Sequence, residues 1–254
     1  MSKLSFVKYH GAGNDFILID NRALFFDPSH VFALCHRKTG IGADGVILLE
    51  PAEGADYRMR IFNCDGSEAG SCGNGLRCLM QFIAHLGLPR QTYRIATGQR
   101  IVEVGFVGEK ISVFSKIKCD VKRLYIAERE VYFTDTGVPH AVVFVPDVQK
   151  IDVAREGAAL RHHSYFQPEG TNVNFATVLA DGSVAVRTFE RGVEGETLAC
   201  GTGGAAVGVV AAHVFQRPSP IAIRFPGGQL EIWVGDGVRL VGEAVKVFEG
   251  VVTK

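Results

Sequence analysis

The segment CGNGLRCLMQFIAH, residues 72–85, returns in the second half of the chain as CGTGGAAVGVVAAH, residues 200–213. Both copies open with a cysteine followed by Gly-x-Gly, and both end on a histidine 13 residues after the cysteine. The two segments predict helices over residues 73–86 and 201–215. Such a repeat changes how every motif inside it is interpreted.

The similarity continues upstream of these segments. RIFN at residues 60–63 matches RTFE at residues 187–190, and an Ala-Asp pair precedes each, at 55–56 and 180–181. The offset stays between 125 and 130 residues, which is about half of the 254-residue chain. Because chance similarity would not agree at several positions over such a span, we expect two homologous domains: residues 1–120 carrying Cys72 and residues 121–254 carrying Cys200.

Each predicted helix begins directly after its cysteine. The start of a helix has unpaired N–H groups and the positive end of the helix dipole, so a thiolate is favoured there and an anion can bind the amides. The glycines that follow Cys72 and Cys200 let a ligand carboxylate approach this backbone without meeting a Cβ. The repeat therefore predicts a pair of helix starts, each with a thiol, that bind one carboxylate.

Two thiols on opposite faces of a carbon next to a carboxylate are suited to racemisation or epimerisation. One thiolate removes the α-proton, and the other thiol returns a proton to the opposite face. The α-proton is very weakly acidic, so the carbanion needs either an electron-sink cofactor or concentrated positive dipole at the carboxylate. Two helix starts supply the second option, and we therefore expect no organic cofactor.

Composition excludes several other classes of protein. With 47% hydrophobic residues the chain can bury a large core, and its 27 basic and 27 acidic residues leave a formal net charge of zero, which disfavours nucleic-acid binding. The longest apolar run, residues 205–214, falls short of the roughly 18–20 residues of a membrane span. The N-terminal 20 residues lack the order of a signal peptide, so a cytoplasmic location is expected.

Six cysteines are too few for a disulfide scaffold, and none forms the C-x2-C pair typical of zinc sites. No metal site is therefore predicted. Apart from Cys72 and Cys200, the cysteines are interpreted as packed small hydrophobes, namely Cys35, Cys64, Cys78 and Cys119.

The rest of the sequence is rich in predicted strands. Turn signals separate β-branched and aromatic runs at residues 4–9, 16–20, 46–50, 57–63, 92–96, 101–107 and 111–117. The second half of the chain shows the same pattern. Two further helices are predicted at residues 28–37 and 153–162, each behind an aspartate that can cap it. The pattern is typical of an α+β protein.

These motifs also resemble a known family. FNCDGSEAGSCGNGLRC, residues 62–78, resembles the N-terminal signature of diaminopimelate epimerases, as does YHGAGNDF at residues 9–16. ERG at 190–192 and ETLACGTG at 196–203 resemble the family's second cysteine motif. GIGADG at 40–45, Pro139-His140 and NVNF at 172–175 fall between them in family order. The resemblance covers nearly the whole chain.

The resemblance implies two domains with pseudo-twofold symmetry, each a strand-rich, barrel-like sheet around a central helix. It implies that Cys72 and Cys200 act as an acid/base pair without pyridoxal phosphate, with His140 tuning Cys72 and Glu190 tuning Cys200. It further implies a small amino-acid substrate, bound by the following residues: Asn14, Asn63, Gly73, Asn74, Asn172, Glu190, Arg191, Gly201 and Thr202. The implied activity is conversion of LL-diaminopimelate to meso-diaminopimelate, a precursor of lysine and peptidoglycan.

Two positions depart from the family pattern. Val138 stands where many members have Asn before Pro-His, and Gly45 stands where many have Gln. Both lose a hydrogen-bonding group that could recognise the distal end of the substrate, so a less exclusive pocket is expected.

Two alternatives stay open at this level. A related cysteine-dependent racemase would act on glutamate, proline or hydroxyproline. A redox protein would use Cys72 and Cys200 as a reversible disulfide. The sequence does not fix an oligomeric state, and a homodimer is the form that relatives often take.

Overall fold

A computed structural model of the protein describes residues 3–98 and 100–253. The chain folds into two compact units. The first, unit 1, runs to Phe114 and takes up the chain again from Gly242, whereas the second, unit 2, is the single stretch Ser115–Val241.

Unit 1 is built on a mixed sheet. Its strands in chain order are β1 (Lys3–Gly11), β2 (Asn14–Asp20), β3 (Gly45–Glu50), β4 (Tyr57–Asn63), β5 (Glu68–Ala69), β6 (Thr92–Thr97), β7 (Arg100–Val107) and β8 (Lys110–Ser115). β2 pairs with β3 and β4 with β6 in parallel, and the other pairs are antiparallel. Its helices are α1 (Val31–Cys35), which follows the 3-10 turn Pro28–His30, and α2 (Gly73–His85).

The middle strand β3 is buried on both faces. Successive side chains of a strand point to opposite sides of the sheet. Val46 and Leu48 accordingly pack in one apolar cluster with α1, while Ile47 and Leu49 pack in another with α2. Because both faces of β3 are covered, residues 46–49 are all apolar and do not alternate with polar residues.

Unit 2 repeats this plan. Its strands are β9 (Lys122–Ile126), β10 (Arg129–Asp135), β11 (Pro139–Phe144), β12 (Asn172–Val178), β13 (Val184–Glu190), β14 (Gly195–Thr197), β15 (Ile221–Phe225), β16 (Gly228–Val234) and β17 (Val238–Gly242). β11 pairs with β12 and β13 with β15 in parallel. Its helices are α3 (Val153–Arg161) and α4 (Gly201–Phe215), with 3-10 turns at Val148–Lys150 and Ser164–Phe166.

The strand registers give a residue-by-residue correspondence between the units. Val46 pairs with Phe62 in β3–β4, as Val173 pairs with Phe189 in β12–β13. Phe16 pairs with Gly45 in β2–β3, as His140 pairs with Asn172 in β11–β12. The repeated segments of the sequence therefore fold into the same parallel and antiparallel order, and α2 corresponds to α4.

The last strand, β18 (Val245–Thr253), belongs to unit 1, where it pairs antiparallel with β1. In unit 2 the corresponding position beside β10 is taken by β9, which directly precedes it in the chain. The sequence division at residue 120 assigned the C-terminal segment to the second half. The structure instead divides the chain at residues 114 and 242, because the partner of β1 comes from the far end of the chain.

Most predicted elements are confirmed, but one helix and the burial of one cysteine differ from the predictions. The helix expected over 28–37 is a 3-10 turn followed by the five residues of α1. Cys35 and Cys78 are buried, but Cys64 is exposed, so its interpretation as a packed hydrophobe was wrong: it lies in the turn after β4, beyond the sheet. Within 3–98 and 100–253, no helix is long and apolar enough to cross a membrane.

Candidate functional sites at the starts of α2 and α4

Cys72 caps the start of α2. Its backbone is extended, with φ −149° and ψ 119°, and its sulfur accepts a hydrogen bond from the N–H of Gly75 at 3.4 Å. A Cβ on Gly75 would lie 2.8 Å from Cδ1 of Ile47, so the helix start rests closely on β3. The predicted position of the thiol at a helix N-terminus is confirmed, and the donated N–H favours a charged sulfur.

Two asparagines extend this half-site. Oδ1 of Asn14 accepts a hydrogen bond from Nδ2 of Asn74 at 3.3 Å, and it lies 3.8 Å from Sγ of Cys72, which donates to it. Nδ2 of Asn14 donates to Asp44 at 2.8 Å, which fixes the orientation of the amide. Asn14, Cys72, Gly73 and Asn74 therefore lie together in unit 1.

A partly exposed ion cluster holds Asn14 in place. Asp15 is paired with Lys8 at 2.8 Å and with Arg37 at 2.9 Å, and Arg37 also pairs with Asp44 at 2.7 Å. Burial opposes ionisation of Asp15, but hydrogen bonds from Arg37 and Lys8 outweigh it and hold the pKa of the carboxyl below its ordinary value. The side chain that orients Asn14 is thus itself fixed by an ionised network.

Asn63 and Gly45 lie opposite each other in the β3–β4 register. Asn63 is exposed at the end of β4, and its Nδ2 donates to Oγ of Ser67 at 3.0 Å. A Cβ at Gly45 would lie 2.3 Å from the carbonyl oxygen of Phe62. A side chain at position 45 would therefore require β3 to move away from β4.

Cys200 caps α4 with matching geometry. Its φ is −121° and its ψ is 113°, and its sulfur accepts from the N–H of Gly203 at 3.3 Å. The hydroxyl of Thr202 lies 3.4 Å from the same sulfur. A Cβ on Gly203 would lie 2.4 Å from Oδ1 of Asn174. The start of α4 therefore rests on a polar side chain where the start of α2 rests on Ile47.

Asn174 fixes the ring of His140. The hydroxyl of Thr188 donates to Oδ1 of Asn174 at 3.0 Å, and Nδ2 of Asn174 donates to the carbonyl of Ala141 at 3.2 Å. The same Nδ2 lies 3.1 Å from Nδ1 of His140. Nδ1 must then accept, so the proton of the neutral ring is on Nε2.

His140 is a neutral donor in this environment. Burial, and to a smaller extent the charge of Arg191, lower the pKa of its imidazole to about 3. Its Nε2 and the hydroxyl of Thr134, its cross-strand neighbour, are both buried without a hydrogen-bond partner among the residues that the structure describes.

The loop after β13 carries the remaining expected residues of unit 2. The hydroxyl of Thr197 donates to Oε2 of Glu190 at 2.9 Å. Oδ1 of Asn172 accepts from the backbone N–H of Arg191 at 2.9 Å, while its Nδ2 donates to the carbonyl of Pro139 at 3.1 Å. Asn172 thus joins the loop that carries Arg191 to the turn that precedes His140.

Val138 lies in this same turn, between β10 and β11, and is half-buried. Counting back from the aligned pair Phe16 and His140, it occupies the position in unit 2 that Asn14 occupies in unit 1. The departure from the family pattern therefore falls on the counterpart of a residue that contacts a cysteine.

Of the expected site residues, Asn63 directs its side chain to the Ser67 turn in unit 1. The assignment of His140 to Cys72 stays a prediction because the two residues belong to different units. Three residues were missed by the sequence analysis: Arg77, Asn174 and Thr188. The available signal was the repeat itself, since Ile47 and Ile61 in the first copy become Asn174 and Thr188 in the second. Within the described ranges no cluster of three metal-ligating side chains is present.

Comparisons with known proteins show which family the chain resembles by sequence. The family model described as diaminopimelate epimerase matches residues 6–115 and 132–253. A diaminopimelate epimerase of Synechococcus sp. (strain JA-3-3Ab) is 43% identical over 282 residues, covering 98% of each chain. That of Chlorobaculum tepidum is 41% identical over 256 residues, covering 96% of this chain and 99% of the relative.

Solved structures share the fold at lower identity. A PhzF-family phenazine biosynthesis protein of Bacillus anthracis matches with a TM-score of 0.81 and 17% identity over 100% of both chains. A hydroxyproline epimerase of Agrobacterium vitis matches with a TM-score of 0.73 and 16% identity, over 98% of this chain and 92% of that one. By sequence over almost its full length, the chain belongs to the diaminopimelate epimerase family.

Proposed function

We propose that this isomerase interconverts LL- and meso-diaminopimelate by moving the proton of one α-carbon, without an organic cofactor or a metal ion. One observation carries the proposal: a cysteine caps each of two repeat-related helices in a chain whose full-length relatives are named diaminopimelate epimerases. The substrate follows from those relatives, and the chemistry from the two caps.

Cys72 and Cys200 exchange the roles of base and acid with the direction of reaction. One thiolate removes the α-proton, and the opposite thiol protonates the other face. The hydrogen bonds from the Gly75 and Gly203 N–H groups to the two sulfurs support this assignment, because a donor favours the charged form of its acceptor.

The first turns of the two helices bind the carboxylate next to the reacting carbon. Gly73 and Asn74 in α2, and Gly201 and Thr202 in α4, supply amides at the positive ends of helix dipoles. Negative charge that develops on the carboxylate as the proton leaves is stabilised there by preoriented N–H groups.

The remaining residues tune the thiols and hold the distal part of the substrate. His140 tunes Cys72, with its imidazole neutral because burial is the larger cause that keeps its pKa near 3, and Glu190 tunes Cys200. Arg191 binds the distal carboxylate through its planar guanidinium. Asn14, Asn63 and Asn172 contact the substrate with their amides.

A cytoplasmic location and a homodimeric state complete the proposal. Membership of the diaminopimelate epimerase family is the support for both. Size-exclusion chromatography with light scattering tests the homodimer directly.

The activity is tested by hydrogen exchange. The reduced protein is incubated in deuterated water with LL-diaminopimelate, L-glutamate or L-proline, without added cofactor, and α-deuterium is followed by NMR. We expect rapid incorporation into diaminopimelate with formation of the meso isomer, and the Cys72→Ala/Cys200→Ala double variant as the blank. Faster exchange of glutamate or proline would overturn the substrate, and a requirement for pyridoxal phosphate would overturn the mechanism.

A further inference from the structure

Arg77 is a fully buried cation in the first turns of α2, with 0% of its surface exposed. Its guanidinium donates three hydrogen bonds: to the carbonyl of Glu243 at 3.2 Å, to the carbonyl of Gly73 at 3.3 Å and to Oδ1 of Asn74 at 2.9 Å. A Cβ on Gly11 would lie 3.0 Å from Nη2, so β1 encloses the group from another side. All three acceptors are neutral, and no carboxylate among the described residues pairs with the guanidinium.

This placement breaks two local rules. Buried charges are normally paired, because desolvating an unpaired one is costly. A cation near a helix start is also disfavoured by the positive end of the dipole. Sequences keep such violations mainly at functional sites. The first turn of α2 therefore concentrates positive potential that no carboxylate of the described ranges neutralises.

The ionisable groups near Arg77 identify the anion. Burial lowers the pKa of Arg77, and charge on the thiol of Cys78 or Cys72 would raise it. Burial raises the pKa of Cys78 to about 12, which keeps that thiol neutral. Asp15, the carboxylate that acts on Cys78, is already paired with Lys8 and Arg37. Cys72 is the remaining group on α2 whose ionisation the guanidinium can favour.

The second repeat provides an internal comparison. The residue five positions after Cys200 is Ala205, which is buried and uncharged, whereas the residue five positions after Cys72 is Arg77. The hydrogen bond from the helix to the sulfur is nearly the same in both copies, at 3.4 Å and 3.3 Å. Arg77 is thus a charge that one half-site has and that the equivalent position of the other half-site lacks.

We propose that Arg77 is a positioning residue for the anions of the Cys72 half-site, where its charge favours the thiolate of Cys72 and the substrate carboxylate bound by the first turn of α2. It also fixes the amide of Asn74, since Oδ1 accepts from Arg77 and Nδ2 is thereby directed to Asn14. The inference rests on the proposed role of Cys72 in proton transfer.

Alkylation of the thiols tests the charge without using turnover. The neutral variants Arg77→Met and Arg77→Gln, the charged variant Arg77→Lys and the control Arg90→Met are treated with iodoacetamide between pH 6 and pH 9. Labelling of each cysteine is followed by peptide mass spectrometry. Arg90 is an exposed residue paired with Asp56, so its variant controls for the loss of one positive charge from unit 1.

The neutral variants are expected to slow alkylation of Cys72 at pH 7 by about tenfold. Loss of a nearby opposite charge raises the pKa of a thiol by about one or more, and the reactive thiolate fraction falls accordingly. Arg77→Lys should retain most of the wild-type rate. Labelling of Cys200, and of the exposed Cys64, should not change in any variant. Folding is checked by circular dichroism.

A folded neutral variant with wild-type labelling of Cys72, or with equal slowing at Cys200, would overturn the proposal. If neither neutral variant folds, wild-type protein decides: the rate ratio of anionic iodoacetate to neutral iodoacetamide at low salt should be higher at Cys72 than at Cys200. If the iodoacetate to iodoacetamide rate ratio is no higher at Cys72 than at Cys200, the proposal is also overturned. Because no readout depends on epimerisation, full inversion by Cys72→Ala would refute the proposed function alone.

Discussion

The starts of α2 and α4 share their backbone and differ in what lies beneath them. Each has a cysteine cap and a glycine whose N–H donates to the sulfur. Under Gly75 the contacts are the methyl groups of Ile47 and Ile61, whereas under Gly203 the contact is the amide of Asn174. Asn174 in turn holds His140 and is held by Thr188.

The same backbone, repeated in two units, can therefore place its cysteine in two different polar surroundings. In unit 1 the polar groups are a buried cation and two asparagines beside the helix start. In unit 2 they form a neutral network below it. The proposed two-base chemistry needs one thiol protonated while the other is ionised, and unequal surroundings would favour that without any change of fold.

The largest effect on stereoinversion is expected from replacing either cysteine singly. Cys72→Ala and Cys200→Ala should each lower stereoinversion by at least about 10² to 10⁴-fold, the usual contribution of an acid/base group. Cys→Ser variants should retain a trace, because a hydroxyl is a far poorer base than a thiolate. Turnover is measured by NMR, with Cys64→Ala as the control. Full inversion by either alanine variant contradicts the two-base assignment.

Adding one methyl group at equivalent glycines tests the difference beneath the helices. Gly75→Ala meets movable Ile47 and Ile61 methyls, so the helix propensity gain of about 1 kcal/mol should offset the strain. Gly203→Ala meets Oδ1 of Asn174 and should cost about 1–3 kcal/mol of unfolding free energy through the displaced hydrogen bonds. Urea unfolding measures both, and equal values would show that the polar network is not rigid.

Acid should destabilise the chain through His140. Its pKa of about 3 lies below the ordinary value of 6.5, so between these pH values the unfolded chain binds a proton that the folded chain does not. Stability is therefore lost as pH falls through this interval, by at most about 1.4 kcal/mol per pH unit. Urea unfolding at pH 7, 6 and 5 should show a shallower loss for His140→Gln. His213→Gln, at an exposed position on α4, is the control, and a variant slope equal to wild type would refute the neutral buried ring.

The smallest effect is expected at Val138, the counterpart of Asn14. A pocket with fewer hydrogen-bonding groups rejects shorter analogues less strongly, so we expect slow α-deuterium incorporation into glutamate beside rapid exchange of diaminopimelate. Val138→Asn should lower the glutamate rate relative to diaminopimelate by about fivefold. Val138→Ala adds no polar group and should not. Absence of any glutamate exchange by the wild-type protein would contradict the less exclusive pocket.

The sequence predicted what local pattern and repetition encode. The helix starts at Cys72 and Cys200 follow from Gly-x-Gly after a cysteine, and the repeat predicts two matching units. The repeat could mark Asn174 as a polar replacement of Ile47, but it does not show which distant residue Asn174 contacts. Asn174 meets His140, 34 residues away, because β12 lies parallel to β11. Burial of Arg77 is likewise invisible in a sequence, where arginine is normally read as a surface residue.

The pairing of β18 with β1 has a consequence for protein synthesis. A ribosome releases unit 2 as one uninterrupted stretch, so its strands are available before β18 is made. β1 precedes the whole of unit 2 in the chain, whereas β18, one of its two neighbours in the sheet, follows unit 2. Until β18 is made, one edge of β1 keeps unpaired backbone groups that can template pairing with another chain, and we expect the nascent protein to be most prone to misassociation in this interval.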